Sequence, residues 1–433
     1  MDGLSGPAPP ASDPLPATPP PPPSAAPSFR RALGHRPFLL LWSSQLISQS
    51  GDYVFEVALL WLVLQTTGSV FAVSLVVVVT LIPVVALGPF LGVYADRWPR
   101  RTILIVTNLA EGLMVAALSG LVLAHDASLP VILAIVFGLG VGSQFVRVTS
   151  NALVSQTVGV EDLGPANGLL SFSNSSTQVV GLSIGGVVVA LVGPELPIAY
   201  DAISFLVAAL IVGGMAAAIG RPTPTEPGAA APGFRAEFAE GLRFVVRSRF
   251  LMELIAVGLV VNFCGNAMAA LWAPYADLVL HGGAATYGTL GAALALGAIV
   301  GAVAIGKVNT RTRAGPILFA GDAAVGLLFI GLGLARSIPV AVAESFGCGV
   351  LLSVINVPLL TLVQAKVPAR LLGRVMAVLM ALILAAAPVG AFFAGSLAEA
   401  TSVAFVFLVC GSIVLAMAGV GWAFAREVRT ITY

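Results

Sequence analysis

The sequence predicts an all-α membrane protein with twelve transmembrane helices in two pseudo-symmetric six-helix bundles and both termini cytoplasmic. Three observations carry that prediction. First, 58% of the 433 residues are hydrophobic and 9% are charged, at a mean hydropathy of +1.00; a water-soluble domain carries about 25% charged residues. Second, the apolar residues fall into runs of roughly 20 or more, the length a helix needs to cross a bilayer while satisfying its own backbone. They lack the strict alternation of barrel strands. Third, the basic residues sort into alternate loops.

Residues 1–28 are rich in Pro, Ala and Ser, with prolines from Pro19 to Pro23, and read as a disordered cytoplasmic tail of polyproline II character. The stretch lacks the basic start and cleavage site of a secretory signal. Apolar spans follow at 38–66 and 70–95, then the tight loop Gly92-Val-Tyr-Ala-Asp96-Arg97-Trp-Pro-Arg100-Arg101, then spans at 103–124, 129–154, 166–192 and 198–219. Together, residues 29–219 form the predicted N-terminal bundle. The one long polar connection occupies 220–249 and opens with the Pro- and Ala-rich run Pro222 to Pro232. Within it Phe234, Phe238, Leu242 and Val246 recur at helical spacing, with Arg235, Arg243, Arg247 and Arg249 on other faces. That pattern predicts an amphipathic helix on anionic lipid. Spans at 250–276, 284–306, 316–335, 339–362, 373–396 and 402–424 make the C-terminal bundle, 250–433.

Positive charge accumulates in cytoplasmic loops. With this span count, every Lys and Arg except Arg147 and Arg336 falls on the side of the tail, which supports both the count and the topology. A shift of 209 residues lays Gly88 on Gly297, Gly92 on Gly301, Leu163-Gly164 on Leu372-Gly373, Gly181 on Gly390 and Gly186 on Gly395. The constant offset indicates a duplicated six-helix unit, whose halves would frame a central cavity.

The pattern Gly92-x-x-x-Asp96-Arg97-x-x-Arg100-Arg101, with twelve spans and a central basic linker, resembles the major facilitator superfamily over about residues 30–430. Three further stretches are similar to its drug and siderophore exporter branch, which includes macrolide efflux and enterobactin export proteins. They are Ser48-Gln49-Ser50-Gly51-Asp52, Val160-Glu161-Asp162-Leu163-Gly164-x-Ala166-Asn167-Gly168-Leu169 and Val367-Pro368-Ala369-Arg370-x-x-Gly373-Arg374-Val375. The resemblance implies that Gly92, Asp96, Arg97, Arg100 and Arg101 form a cytoplasmic latch between the halves; an anchor on lipid headgroups is the plainer role for the arginines. Physically, Gly92 permits close helix approach. Asp96, just before Pro99, suits the first turn of span three, where it can meet the helix dipole and pair with Arg97 or Arg101. The 209 offset puts Ile305 where the second half would carry this acid, so the latch is expected to be one-sided. Exporters of this kind often carry Gly-x-x-x-Gly-Pro-x-x-Gly-Gly in span five. Gly181, Gly185 and Gly186 fit as helix-packing residues, while Thr177 and Leu182 stand at the first Gly and the Pro.

An ionisable residue inside a span is costly and is a functional candidate by default. Asp52 and Glu56, at i and i+4, share one face of span one; two carboxylates there make a site for a proton or a cationic substrate, or else a satisfied structural pair. Arg147 in span four is the one deeply placed cation. It is expected either to neutralise Asp52 or Glu56 or to snorkel. Glu111 and Glu344 are secondary cavity candidates, while Asp201, Glu253, Asp277 and Asp322 are placed near span ends at the headgroups.

These residues point to a secondary active transporter that exports an amphiphilic small molecule against protons by alternating access. Metabolite uptake or uniport is the alternative transport reading, and a non-transporting receptor or scaffold using the Pro-rich tail is the alternative of another class. No GxxxxGK[ST] loop is present, so an ion gradient is the expected energy source. An enzyme is not expected, since His35, His125 and His281 lie at membrane edges without a nucleophile and base. Cys264, Cys348 and Cys410 lie in apolar runs without metal spacing, so neither disulfide, metal nor cofactor is expected. The expected partners are a small-molecule substrate, protons and membrane lipids. Nucleic acid is not among them, since the net charge is +1, and the chain is expected to be a monomer in a bacterial cytoplasmic membrane.

Overall fold

The structure is a computed structural model that describes residues 29–95, 98–216, 234–307 and 314–429. The tail 1–28, Asp96, Arg97, the run Pro222 to Pro232 and the boundary at 219 lie outside the described residues. Within them, twelve helices are long and apolar enough to cross a membrane. They are α1 Arg36–Thr67, α2 Val70–Ala95, α3 Arg100–Leu123, α4 Leu129–Thr157, α5 Leu163–Val192, α6 Glu195–Gly213, α7 Arg249–Ala269, α8 Gly283–Ile305, α9 Ala314–Leu334, α10 Ile338–Lys366, α11 Ala369–Ala400 and α12 Val403–Phe424. Short connections make consecutive helices antiparallel. The α1–α2 connection shows how a stop is built: Gly68 takes the left-handed conformation, φ 64°, and its N–H donates to the Leu64 carbonyl at 2.9 Å. One end of the bundle, the basic end, gathers Arg36, Arg100, Arg101, Arg249, Lys307, Lys366 and Arg370.

Two predicted boundaries differ by more than four residues. Span six was expected to run to 219, but α6 ends at Gly213, where the Gly214 N–H turns back onto the Leu210 and Ile211 carbonyls. Span seven was expected unbroken to 276. Instead α7 stops at Ala269, and the chain continues as a short turn Trp272–Pro274 and a π-helical turn Tyr275–Val279. Pro274 explains the break, since it has no N–H and its ring crowds the carbonyl four residues back. The broken segment is held instead by its aromatic side chains. Tyr275 stacks on Phe407 at 4.7 Å and donates through its hydroxyl to the Leu332 carbonyl at 2.7 Å.

Helices α1–α6 pack among themselves, through α3 on α6, α1 on α5 and α6, and α2 on α4; α7–α12 repeat this with α9 on α12, α7 on α11 and α8 on α10. Between the halves, α5 crosses α8 and α2 crosses α11. In lipid, burial of apolar surface does little to drive such crossings, so small residues that admit backbone contact matter most. At α5–α8, a Cβ on Gly186 would stand 2.7 Å from the Ala284 carbonyl oxygen and 3.0 Å from the Gly288 Cα. At α2–α11, a Cβ on Gly395 would stand 2.5 Å from the Ser74 Cβ. Gly186 and Gly395 are partners at the 209 offset, and each occupies the same place in one of two related crossings. The other two glycines predicted for span five face inward within their half: Gly181 lies on Tyr53 and Gly185 on Val54 of α1.

A helix at Phe234–Arg247 precedes α7. It docks on α11 through Gly241 and the fully buried Val245, beside an ion pair of Glu240 with Arg374, while Leu242 and Val246 stay exposed. A Cβ at Gly241 would lie 2.7 Å from the Arg374 carbonyl oxygen. Gly241→Leu is therefore expected to lift this helix from α11. Hydrogen exchange at 234–247 is expected to rise while α7–α12 exchange as before, and unchanged exchange there would refute the docking.

Candidate functional site

The site begins on α1. Ser44, Gln45, Ser48, Gln49 and Asp52 step along one face at helical spacing and line a cavity of about 390 Å³ in the first half. Asn108 and Glu111 of α3, Ser143, Arg147, Ser150 and Asn151 of α4, and Ser171 and Asn174 of α5 complete its polar wall. The lining residues lie between the basic end and the middle of their helices, with Asp52 and Ser143 at the middle.

Sequence placed Asp52 and Glu56 as one pair, and the structure separates their surroundings. Asp52 faces this cavity. Glu56, one turn farther from the basic end, accepts a hydrogen bond from the Tyr287 hydroxyl of α8 at 3.3 Å, across the two halves. Glu111 is 1% exposed and lies against Gly142. Its Oε1 accepts from the Ser143 hydroxyl at 3.4 Å, while its Oε2 has no hydrogen-bond partner among the described residues. Arg147 is exposed to the cavity and donates to the Gln144 amide oxygen at 2.5 Å. Among the described residues it makes no ion pair with Asp52 or Glu56, so the cavity holds its cation and its carboxylates apart. Glu344 is not in this wall; it packs beside Gly331 of α9, within the second half.

Two acids expected at the headgroups lie inside the protein. Asp201 of α6 is fully buried against α1, where Gly51 leaves room for it beside Ser204. The Ser204 hydroxyl donates to its Oδ1 at 3.2 Å. Asp322 of α9 is 3% exposed and lines a second cavity of about 480 Å³ in the second half. The sequence signal for Asp201 was the small residue at 51, since an acid from another helix needs a neighbour without a side chain; no comparable signal marked Asp322.

The predicted latch is only partly within the described residues. Gly92 is on α2, and Asp96 and Arg97 lie outside them. Arg100 donates to the Ala152 carbonyl at 3.0 Å and Arg101 to the Gly213 carbonyl at 2.5 Å, which ties the start of α3 to the ends of α4 and α6. A second clasp at the basic end went unread. The Arg31 Nε donates to Asp162 Oδ1 at 2.7 Å, and His35 Nε2 lies 3.3 Å from the other oxygen. At the opposite end, the Glu399 carboxylate of α11 accepts from the Phe71 N–H at 3.1 Å and the Ser69 hydroxyl at 3.3 Å, at the start of α2. An anion there is favoured by the free N–H groups and dipole of the helix. Phe71 also meets Phe392 edge-on at 5.5 Å. At the same end, the other crossing completes a seam between the halves: Leu182 of α5, at the position of the exporter proline, packs against Gly291 of α8.

Comparison with known proteins agrees with this architecture. The chain is 26% identical over 410 residues to the multidrug efflux pump Tap of Mycolicibacterium fortuitum, covering 91% of this chain and 97% of that protein. It is 22% identical over 389 residues to macrolide efflux protein A of Streptococcus pyogenes, covering 88% and 94%. Its fold matches the crystal structure of a bacterial homolog of the human lysosomal transporter Spinster in an inward-facing, occupied conformation. That match has a TM-score of 0.72 at 15% identity and covers 90% of this chain and 97% of the other. Residues 28–430 match the transmembrane secretion effector family, and the chain, a multi-pass transporter of the major facilitator superfamily and not an enzyme, belongs to that family.

Proposed function

We propose that this protein is a proton-coupled exporter of an amphiphilic small molecule, working by alternating access in a bacterial cytoplasmic membrane. The basic end and both termini are cytoplasmic in this reading, so the closed seam faces outward and the cavities face the cell interior. One observation carries the proposal. Asp52 lines the polar cavity of the first half, while Glu56, one turn along the same helix, is bonded to Tyr287 of the second half. Protonation on α1 therefore acts on the cavity and on the contact between the halves together. Neutral Glu56 accepts more weakly than its carboxylate, because charge-assisted hydrogen bonds are the stronger ones, and this supports release of the seam after protonation.

In this scheme Asp52 and Glu56 carry the coupling, Glu111 shares the proton within the cavity, and Arg147 supplies its compensating charge. Glu344 serves as a support in the second half. Gly92, Asp96, Arg97, Arg100 and Arg101 latch the cytoplasmic side once the outer side opens, and Gly181, Gly185 and Gly186 let α5 rock against its neighbours. The working unit is a monomer of two bundles, 29–219 and 250–433, joined by the linker at 220–249.

The test is transport by the purified chain in proteoliposomes with an imposed pH gradient and a panel of amphiphilic drugs and siderophore-like metabolites. Substrate movement opposite to the proton flux, abolished by a protonophore, is expected. Movement that is indifferent to the gradient for every substrate on the panel would overturn the coupling.

A further inference from the structure

The first-half cavity contains a cation as well as acids, whereas the cavity of the second half contains a lone carboxylate. Asp322 lies eight residues into α9 and is 3% exposed, its Oδ1 has no hydrogen-bond partner, and it is the one charged side chain among the described residues lining this cavity of about 480 Å³. The remaining polar lining is uncharged. The Asn262, Asn266 and Asn356 amides each spend an N–H on a carbonyl one turn back, at 3.2, 2.9 and 2.8 Å, which leaves their oxygens available. Trp272, Phe319 and Phe329 supply aromatic wall.

We propose that the second-half cavity is a binding site for a lipophilic organic monocation, with the Asp322 carboxylate as its counter-ion. An unpaired carboxylate in a low-dielectric cavity is stabilised by a partner charge that enters with the ligand. Aromatic faces attract cations, and amide oxygens solvate them. An anion would meet no cation among the described residues lining this cavity and would face the Asp322 carboxylate. The first-half cavity suits such a ligand less, because Arg147 stands exposed in it. At the 209 offset Asp322 corresponds to Leu113, which is 65% exposed, so this site has no counterpart in the first half. The volume falls within the range of pockets that hold drug-sized molecules, roughly 300–1,000 Å³.

This inference deepens the export reading by naming a substrate class, and its test needs no gradient. Binding of tetraphenylphosphonium and of the neutral triphenylphosphine oxide to the detergent-purified full chain is measured by calorimetry. Asp322→Asn is expected to weaken the cation by at least about tenfold and to leave the neutral probe within about twofold, Asp322→Glu to restore part of the loss, and Asp126→Asn, at an exposed carboxylate outside both cavities, to bind the cation as wild type does. Unchanged cation affinity in Asp322→Asn, or equal loss of both probes, overturns the site. If the Asn variant does not fold, a chain with Asp322 intact decides. Leu352 also lines the cavity and is exposed, and labelling of Leu352→Cys by N-ethylmaleimide is expected to be blocked by the cation and not by the oxide. Equal labelling with either probe overturns the proposal. A chain that binds the cation through Asp322 yet moves nothing under a pH gradient refutes the export reading and leaves the site standing.

Discussion

Asp52→Asn is expected to reduce gradient-driven transport by at least about tenfold, a loss of about 1.4 kcal/mol or more in the driven step. Asparagine keeps the shape and a hydrogen-bonding end, so the cavity wall built from Ser48, Gln49 and Asn108 should persist. What it cannot do is take up and release a proton. The effect should therefore be selective: substrate exchange across the bilayer without a gradient continues, while accumulation against a gradient stops. Glu56→Gln should show a smaller defect, because glutamine still accepts from the Tyr287 hydroxyl. Proteoliposome flux, measured with variants whose melting curves match wild type, checks both. Full gradient-driven accumulation by both single variants would remove α1 from the coupling.

Gly186→Val is expected to abolish the closed seam. A Cβ there would meet the Ala284 carbonyl oxygen and the Gly288 Cα, both backbone atoms that no rotamer change can move. Overpacking of this kind costs about 1–3 kcal/mol, and about 2 kcal/mol tilts a two-state balance by roughly thirtyfold. Spin labels at Leu191 and His281, near that end of each half, report the opening as a longer distance. The same substitution at Gly419, where a Cβ meets nothing within 4 Å, is the control. Transport should fall with Gly186→Val, since a transporter held open at one end cannot complete its cycle. Wild-type label distances together with wild-type flux would show that the crossing tolerates the extra atoms.

Which parts were legible in the sequence follows from the physics behind each signal. The twelve helices were readable because spanning demands length and apolarity, and both are local properties. The repeat was readable because a helix crossing at backbone distance admits little besides glycine, and Gly186 and Gly395 kept both identity and spacing. The break in span seven had its cause in view at Pro274, but apolar composition alone treats broken and unbroken segments alike. Burial of acids was the least legible. Asp201 and Asp322 were assigned to headgroups from their distance along a span, whereas their exposure depends on which neighbouring helix faces them. The separation of Asp52 from Glu56 is similar, since helical spacing places two residues on one face without saying that one looks into a half and the other across to its partner.

The outer seam has a further consequence for how readily the protein changes state. Backbone contacts at Gly186 and Gly395 expose little apolar side-chain area when they part, and the groups that bridge the seam, Glu399, the Phe71 N–H, Tyr287 and Glu56, can all be rehydrated by entering water. Exchanging a protein hydrogen bond for one to water changes the balance by only about 0.5–1.5 kcal/mol. Such a closure resembles a zip fastener more than a weld. A pH difference of one unit is worth about 1.4 kcal/mol per proton, so modest ion gradients suffice to bias which way it runs.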